Sequence, residues 1–363
     1  MIKLLRPAAV VAVLSLCVCV NAASLPRQVS DKEFWTIVAT FSESGGTFVS
    51  DNIISNEIEF QRVIPDVQRT VGRGVYLGVG PEQNFTYISA FKPSIAFIFD
   101  IRRGNLLLHL IYKALIELSG DRIEFLSRLF ARKPSAGITH NSTARDLFEA
   151  FSRAPLSGNL AQDNLRAILN RLEQTHGFLL SEDDKRGISE VYRALYSGGP
   201  QIRGDFGGGS WIPSYAVLMA QTDLNGHDHS FLESERNFRI LKTYESRNLI
   251  VPLVADFAGD KAILAVARYL KNYHASVTTF YASNVEEYLF KSGTAPKFYE
   301  NVSALPIAED AMFIRSFYTH TDAGLHTLID PISKCLNAVT RSEVPSYADL
   351  ISRSAEPSPA GTR

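Results

Sequence analysis

A carboxylate at the tip of a buried strand, glycines in the turn that ends the preceding strand, and a helix entrance between them form a set able to cradle a nucleoside. In this chain Gly78 and Gly80 follow the apolar start of the run Val75–Val79. Asn84 comes four residues after Gly80, and Asp100 ends the run Ile95–Phe99, 22 residues beyond Gly78. Glycine lets ligand and backbone approach closely. Free amides at a helix entrance favour electron-rich groups. A carboxylate about 20 residues on can accept hydrogen bonds from both ribose hydroxyls. Gln83 stands where a dinucleotide fingerprint has its third glycine, which disfavours a dinucleotide and leaves a nucleoside. The alternative is structural: Gly78 and Gly80 form a tight strand-to-helix turn, and Asp100 caps the helix starting near Asn105.

The second half of the chain offers a matching rim. Strands are expected at Leu249–Ala255 and Ser276–Ala282, followed by Asp256 and Gly259 in one turn and Ser283, Asn284 and Glu287 in another. Open parallel sheets bind ligands beyond the carboxyl ends of their strands, so these residues belong with Gly80 and Asp100. A carboxylate there can act as a general base if burial or a second carboxylate raises its pKa. Helix capping is the alternative for Asp256, Ser283 and Asn284. Arg102, Arg103 and Asn105 beside Asp100 can contact an anionic group or pair at the surface. The candidate binding set is Gly78, Gly80, Asn84, Asp100, Arg102, Asp256, Ser283 and Asn284; no catalytic residue is assigned. The loop DLNGHDH (223–229) carries metal-competent side chains but fails the EF-hand pattern at Gly226 and Ser234, so it reads as a polar turn and no metal site is expected. GGGSW (207–211) lacks the nucleophile-elbow spacing.

The elements that must position this rim alternate strand and helix. Ser30 and Glu33 signal a capped helix over 31–42, and residues 82–92 read as a helix between the first two strands. LLLHLIYKALIEL from Leu106 is apolar nearly all round, as in a helix clamped between layers. Helices are expected at 260–273 and 285–290, another opening at Ser230 and Glu233, and Met312–Tyr318 is expected to close a sheet edge. Continuous apolar strands alternating with helices predict an α/β Rossmann-like fold: a mostly parallel sheet with helices on both faces. Between Gly120 and Gly199 only helical signals recur, which predicts a helical insertion. The expected divisions are a signal peptide (1–22), an N-terminal helical segment (23–74), the first half of the core (75–119), the insertion (120–210), the second half (211–340) and a flexible tail (341–363).

Lys3 and Arg6, the apolar run Ala8–Val20 and then Asn21-Ala22-Ala23 have the three parts of a secretory signal, with cleavage expected after Ala22. As a helix the run spans only ~20 Å against a ~30 Å bilayer core, so removal rather than anchoring is expected and no stable span remains. Cleavage removes Cys17 and Cys19, leaving Cys335 and no internal disulfide. With 37 basic and 38 acidic residues the chain has no electrostatic affinity for nucleic acid. The expected location is periplasmic or extracellular.

The stretches GVGPEQNFTYI, AFIFDIRRGNLLLHLIYKAL, NLIVPLVADFAGDKA and SNVEEYLF resemble an uncharacterised bacterial protein family whose core is similar to class I S-adenosylmethionine-dependent methyltransferases. The resemblance implies that Gly78 and Gly80 pass under the methionine part of S-adenosylmethionine and that Asp100 holds its ribose. No Asn-Pro-Pro-aromatic acceptor motif is present, and an exported protein is separated from that cytoplasmic donor. Two functions follow as expectations. One is an exported protein binding a nucleoside or other small polar ligand, with methyl transfer as the activity the resemblance implies. The other is a non-enzymatic envelope protein that binds a protein partner through residues 120–210.

Overall fold

The computed structural model describes residues 24–134, 137–204, 212–318 and 325–358; the expected signal segment and the GGGSW glycines lie outside them. Helix α1 (Asp31–Phe41) starts where its capping signal places it, with Ser30 Oγ accepting from the Glu33 amide at 3.2 Å. A short helix α2 (Ile64–Thr70), without a strong sequence signal, leads to strand β1 (Val75–Val79). Helix α3 (Gln83–Phe91) then returns the chain to strand β2 (Ile95–Asp100). Both strands are buried along their full length, as their uninterrupted apolar sequences require of a sheet covered on both faces. Helix α4 (Arg103–Leu118) follows, buried from Asn105 to Ile116.

Between β2 and the next strand the chain builds the extra helical layer: α5 (Arg122–Phe130), α6 (Ala144–Arg153), α7 (Gly158–Asn170), α8 (Glu182–Gly198) and α9 (Tyr215–Met219). Thr143 with Asp146 and Ser181 with Asp184 form reciprocal capping boxes at α6 and α8. Phe125, Leu126, Leu129 and Phe130 are buried as their spacing predicts, and α8 packs along α4. Helix α10 (Glu235–Ser246) begins four residues later than expected, because Ser234 rather than Ser230 is its cap. Ser230 instead closes a turn with the Glu233 amide (3.0 Å) and donates its hydroxyl to Met219 Sδ (3.3 Å).

The second half adds strand β3 (Ile250–Val254), helix α11 (Ala262–Asn272), strand β4 (Val277–Ser283), and helices α12 (Val285–Ser292) and α13 (Ala295–Ala304). Strands β5 (Ile307–Tyr318) and β6 (Leu325–Pro331) and helix α14 (Ile332–Thr340) complete it. The sheet order is β3-β2-β1-β4-β5-β6, parallel except for β6, which runs antiparallel to β5. The chain winds outward from β1 to β3, crosses back to β4 and winds the other way. Right-handed crossovers then place α3 and α4 on one face and α11 and α13 on the other. The fold is thus a mostly parallel α/β sheet flanked by helices on both faces, with added helical segments. Two expectations change. Met312–Tyr318 lies inside the sheet, and the edge is β6, whose LHTLIDP sequence is broken by His326, Asp330 and Pro331. The tail from Arg341, expected to be loose, forms α15 (Tyr347–Arg353); it buries Leu350, and Ala355 exchanges backbone bonds with Ile329 at 3.0 and 2.9 Å. Among the described residues no helix is long and apolar enough to cross a membrane.

Candidate functional site

Strands β1, β2, β3 and β4 all point their carboxyl ends at one place, beside the β1–β4 switch point where open α/β sheets form a crevice. A segment that is neither helix nor strand, residues 42–57, runs over those ends. The Glu43 amide donates to Val254 O (2.9 Å), the Gly46 amide to Ile101 O (2.8 Å), and Ser42 Oγ accepts from the Val254 amide (3.1 Å). The strap roofs a cavity of about 170 Å3. Six of the eight candidate binding residues line it: Gly80, Asp100, Arg102, Asp256, Ser283 and Asn284.

Gly78 and Asn84 lie below it and build the turn. A Cβ on Gly78 would sit 1.9 Å from Asn84 Oδ1. The absent side chain therefore makes room for Asn84 rather than for a ligand. The Asn84 amide group donates to the carbonyls of Val79 (2.9 Å), Gly80 (3.2 Å) and Pro81 (2.7 Å), and Tyr76 OH donates to its Oδ1 (2.9 Å). Gly80 is the glycine that faces the crevice: its φ is +75°, and a Cβ would meet nothing within 4 Å. Behind it the buried His109 Nε2–H donates to Gly80 O at 2.9 Å. Burial pushes the His109 imidazole down to about 4, which keeps the ring neutral at ordinary pH.

Asp100 ends β2 with 6 % of its surface exposed. Arg102 holds it with Nε on Oδ1 (3.0 Å) and Nη2 on Oδ2 (2.7 Å), while the Arg102 amide also donates to Oδ1 (2.8 Å). Nη1 of the same guanidinium reaches Ser50 O in the strap (3.1 Å). The bidentate pair ties roof to rim. Arg103 turns away and pairs with Asp184 of α8. Asp256 is an exposed turn residue: its Oδ1 accepts from the Ala258 amide (2.9 Å) and its own amide donates to Glu43 Oε2 (3.1 Å). Asn284 stands at the entrance of α12 without making a side-chain cap, so helix capping does not account for it.

The residue that sequence reasoning missed is Glu57. It is 1 % exposed and belongs to the strap, yet its carboxylate reaches into the wall of the cavity. Tyr281 OH donates to Oε1 at 2.7 Å, Ser283 Oγ donates to the same oxygen, and Gln83 Nε2 donates to Oε2 at 2.8 Å. All three partners are neutral. Burial, and then the Glu57 charge, hold the Tyr281 and Tyr87 phenols well above their usual range. Glu82, at the start of α3, is also fully buried; burial pushes its carboxyl up to about 8, against the Ser55 amide that donates to it at 3.2 Å. SNEIEF carries no signal for any of this, because an isolated acidic residue in a polar stretch reads as solvent-exposed.

Among the described residues lining the cavity, Arg102 is the single cation against Glu57, Asp100 and Asp256, and Phe48, Phe257 and Tyr288 give it aromatic walls. The metal-competent loop is self-satisfied: Asp223 accepts from the amides of Asn225 and His227 and from His229 Nε2 (2.8, 2.9 and 2.9 Å). Fold and site together define a Rossmann-like α/β protein with a strapped crevice at its strand ends. The chain belongs to the family described as a domain of unknown function (DUF7790), which it matches over residues 52–360, a span that takes in every candidate binding residue. No curated protein matches the chain.

Proposed function

We propose that the strand-end crevice binds a small polar ligand of the nucleoside class, with Asp100 receiving the ribose hydroxyls and Gly80 passing beneath. The observation that carries this reading is the convergence of Gly80, Asp100, Asp256, Ser283 and Asn284, drawn from four strand ends, on one cavity at the switch point. Aromatic walls from Phe48, Phe257 and Tyr288 suit a base ring, and the surplus of carboxylates suits a ligand rich in donors or carrying positive charge. S-adenosylmethionine and S-adenosylhomocysteine are the ligands to which the family resemblance points.

The closed form has two features that ligand entry must change. Both Asp100 oxygens are held by Arg102, so ribose capture requires the guanidinium to turn aside. The cavity of about 170 Å3 is also below the ~300 Å3 at which small-molecule pockets begin, so the strap must lift. Residues 1–22 are proposed to direct export, which would part the protein from a cytoplasmic methyl donor.

The test is thermal unfolding of the purified protein and of Asp100→Ala with S-adenosylmethionine, S-adenosylhomocysteine, NAD and adenine nucleotides. A nucleoside ligand at about 100 times its Kd should stabilise the wild type by about 2.7 kcal/mol and leave the variant unshifted. No shift with any of these ligands, or equal shifts in both proteins, contradicts the reading.

A further inference from the structure

Ser283 departs from ordinary strand geometry in two linked ways, and its hydroxyl is held by a buried carboxylate. Its φ is +51°, a left-handed value that is uncommon outside glycine. The register between β4 and β5 shifts between Tyr281 and Ser283, so the strand is irregular as it ends. The Ser283 hydroxyl, half-buried at the cavity wall, donates directly to Glu57, a carboxylate with no cationic partner among the described residues. Strain and bulges at a strand end re-aim a side chain and persist only where surrounding contacts hold them. Here Tyr281 and Gln83 fix the Glu57 carboxylate, and Glu57 fixes the hydroxyl.

We propose that Ser283 is a nucleophile and Glu57 its general base, in a site that hydrolyses a small, uncharged carboxylic ester. The arrangement is a strand-to-helix turn with a hydroxyl at its apex, reached without the G-x-S-x-G sequence that commonly builds one. Asn284 and Val285 line the same cavity, and the amides of Val285 and Glu286, the first two of the eight-residue helix α12, lack intrahelical acceptors, whereas the Glu287 amide donates to Asn284 O at 3.1 Å. Those amides are donors suited to a developing oxyanion. Phe48, Tyr288 and Leu289 offer apolar surface to a short acyl chain, whereas Glu57, Asp100 and Asp256 disfavour an anionic substrate.

In the first step the Ser283 hydroxyl proton passes to Glu57 Oε1 as Oγ bonds to the ester carbonyl carbon and the carbonyl π pair moves onto its oxygen. Collapse of that adduct breaks the bond to the leaving alkoxide, which takes the proton from Glu57 and departs as the alcohol. Water then attacks the acyl carbon while giving a proton to Glu57. Expulsion of Ser283 Oγ, reprotonated by Glu57, releases the carboxylic acid. Only ester and water are consumed, so the chemistry is compatible with export.

The test uses the full chain with a fluorophosphonate probe, read by mass spectrometry of the peptide containing Ser283, alongside hydrolysis of p-nitrophenyl acetate. The wild type should carry one adduct on Ser283. Ser283→Ala should lose both adduct and turnover, and Glu57→Gln should label about 100-fold more slowly. Unfolding curves of both variants report whether they remain folded. Absence of the wild-type adduct overturns the proposal without reference to any variant. Undiminished labelling of folded Glu57→Gln overturns the role of Glu57.

Discussion

At the scale of single residues, the two glycines of the β1 turn answer to different constraints. Gly78 is small because Asn84 fills the space its Cβ would take, whereas Gly80 needs a positive φ and opens onto the crevice. Gly78→Ala should therefore destabilise the protein by about 1–3 kcal/mol through overpacking. Asn84→Ala should cost about the same by leaving the turn carbonyls without their donor. Since both act on one contact, the double variant should lose less than the sum, as urea denaturation would show; strict additivity would mean the contact does not limit the turn. The sequence made Gly80, Asp100, Asp256, Ser283 and Asn284 legible because their positions follow from where apolar strands stop. It could not separate Gly78 from Gly80, since both obey the same spacing, and it hid Glu57, whose partners lie 26 to 226 residues away.

Among the elements, the strap over residues 42–57 covers the crevice. It has neither helical nor strand periodicity, so no pattern in the sequence announces it; its hydrogen bonds go to the ends of other strands. Glu43 is its anchor, accepting from the amides of Asp256 (3.1 Å) and Ala262 (2.9 Å) at the start of α11. Glu43→Ala leaves both donors without that partner. The expected result is a loss of about 1–3 kcal/mol and faster amide hydrogen exchange across residues 42–57, with α3 unaffected. Unchanged exchange in the strap would show that its other contacts suffice. Helix α1 was legible for the opposite reason: its signal is local, with the Ser30 cap accepting from the Glu33 amide three residues on. The edge strand β6 escaped because its pairing with β5, not its own composition, makes it a strand.

Over the whole molecule, a parallel core covered on both faces leaves some carboxyls without water. Glu82 and Glu245 are both pushed up to about 8 by burial. Between their ordinary range near 4.5 and about 8, the unfolded chain releases protons that the folded chain retains, so their contribution to stability falls as pH rises through that window. Glu82→Gln should flatten the pH dependence and gain on the wild type by up to a few kcal/mol toward pH 8, measured as urea midpoints from pH 5 to pH 8. Asp223, lowered to about 2 by His229 and backbone donors despite its burial, acts in the opposite direction only in acid, so the windows do not overlap. The core forms the crevice at its switch point. A crystal structure of the protein grown with S-adenosylhomocysteine tests nucleoside binding there most directly. The ribose should lie on the Asp100 carboxylate above Gly80, with Arg102 turned away and the 42–57 strap raised; an Asp100–Arg102 pair still closed, with the ligand absent or bound elsewhere, would contradict it.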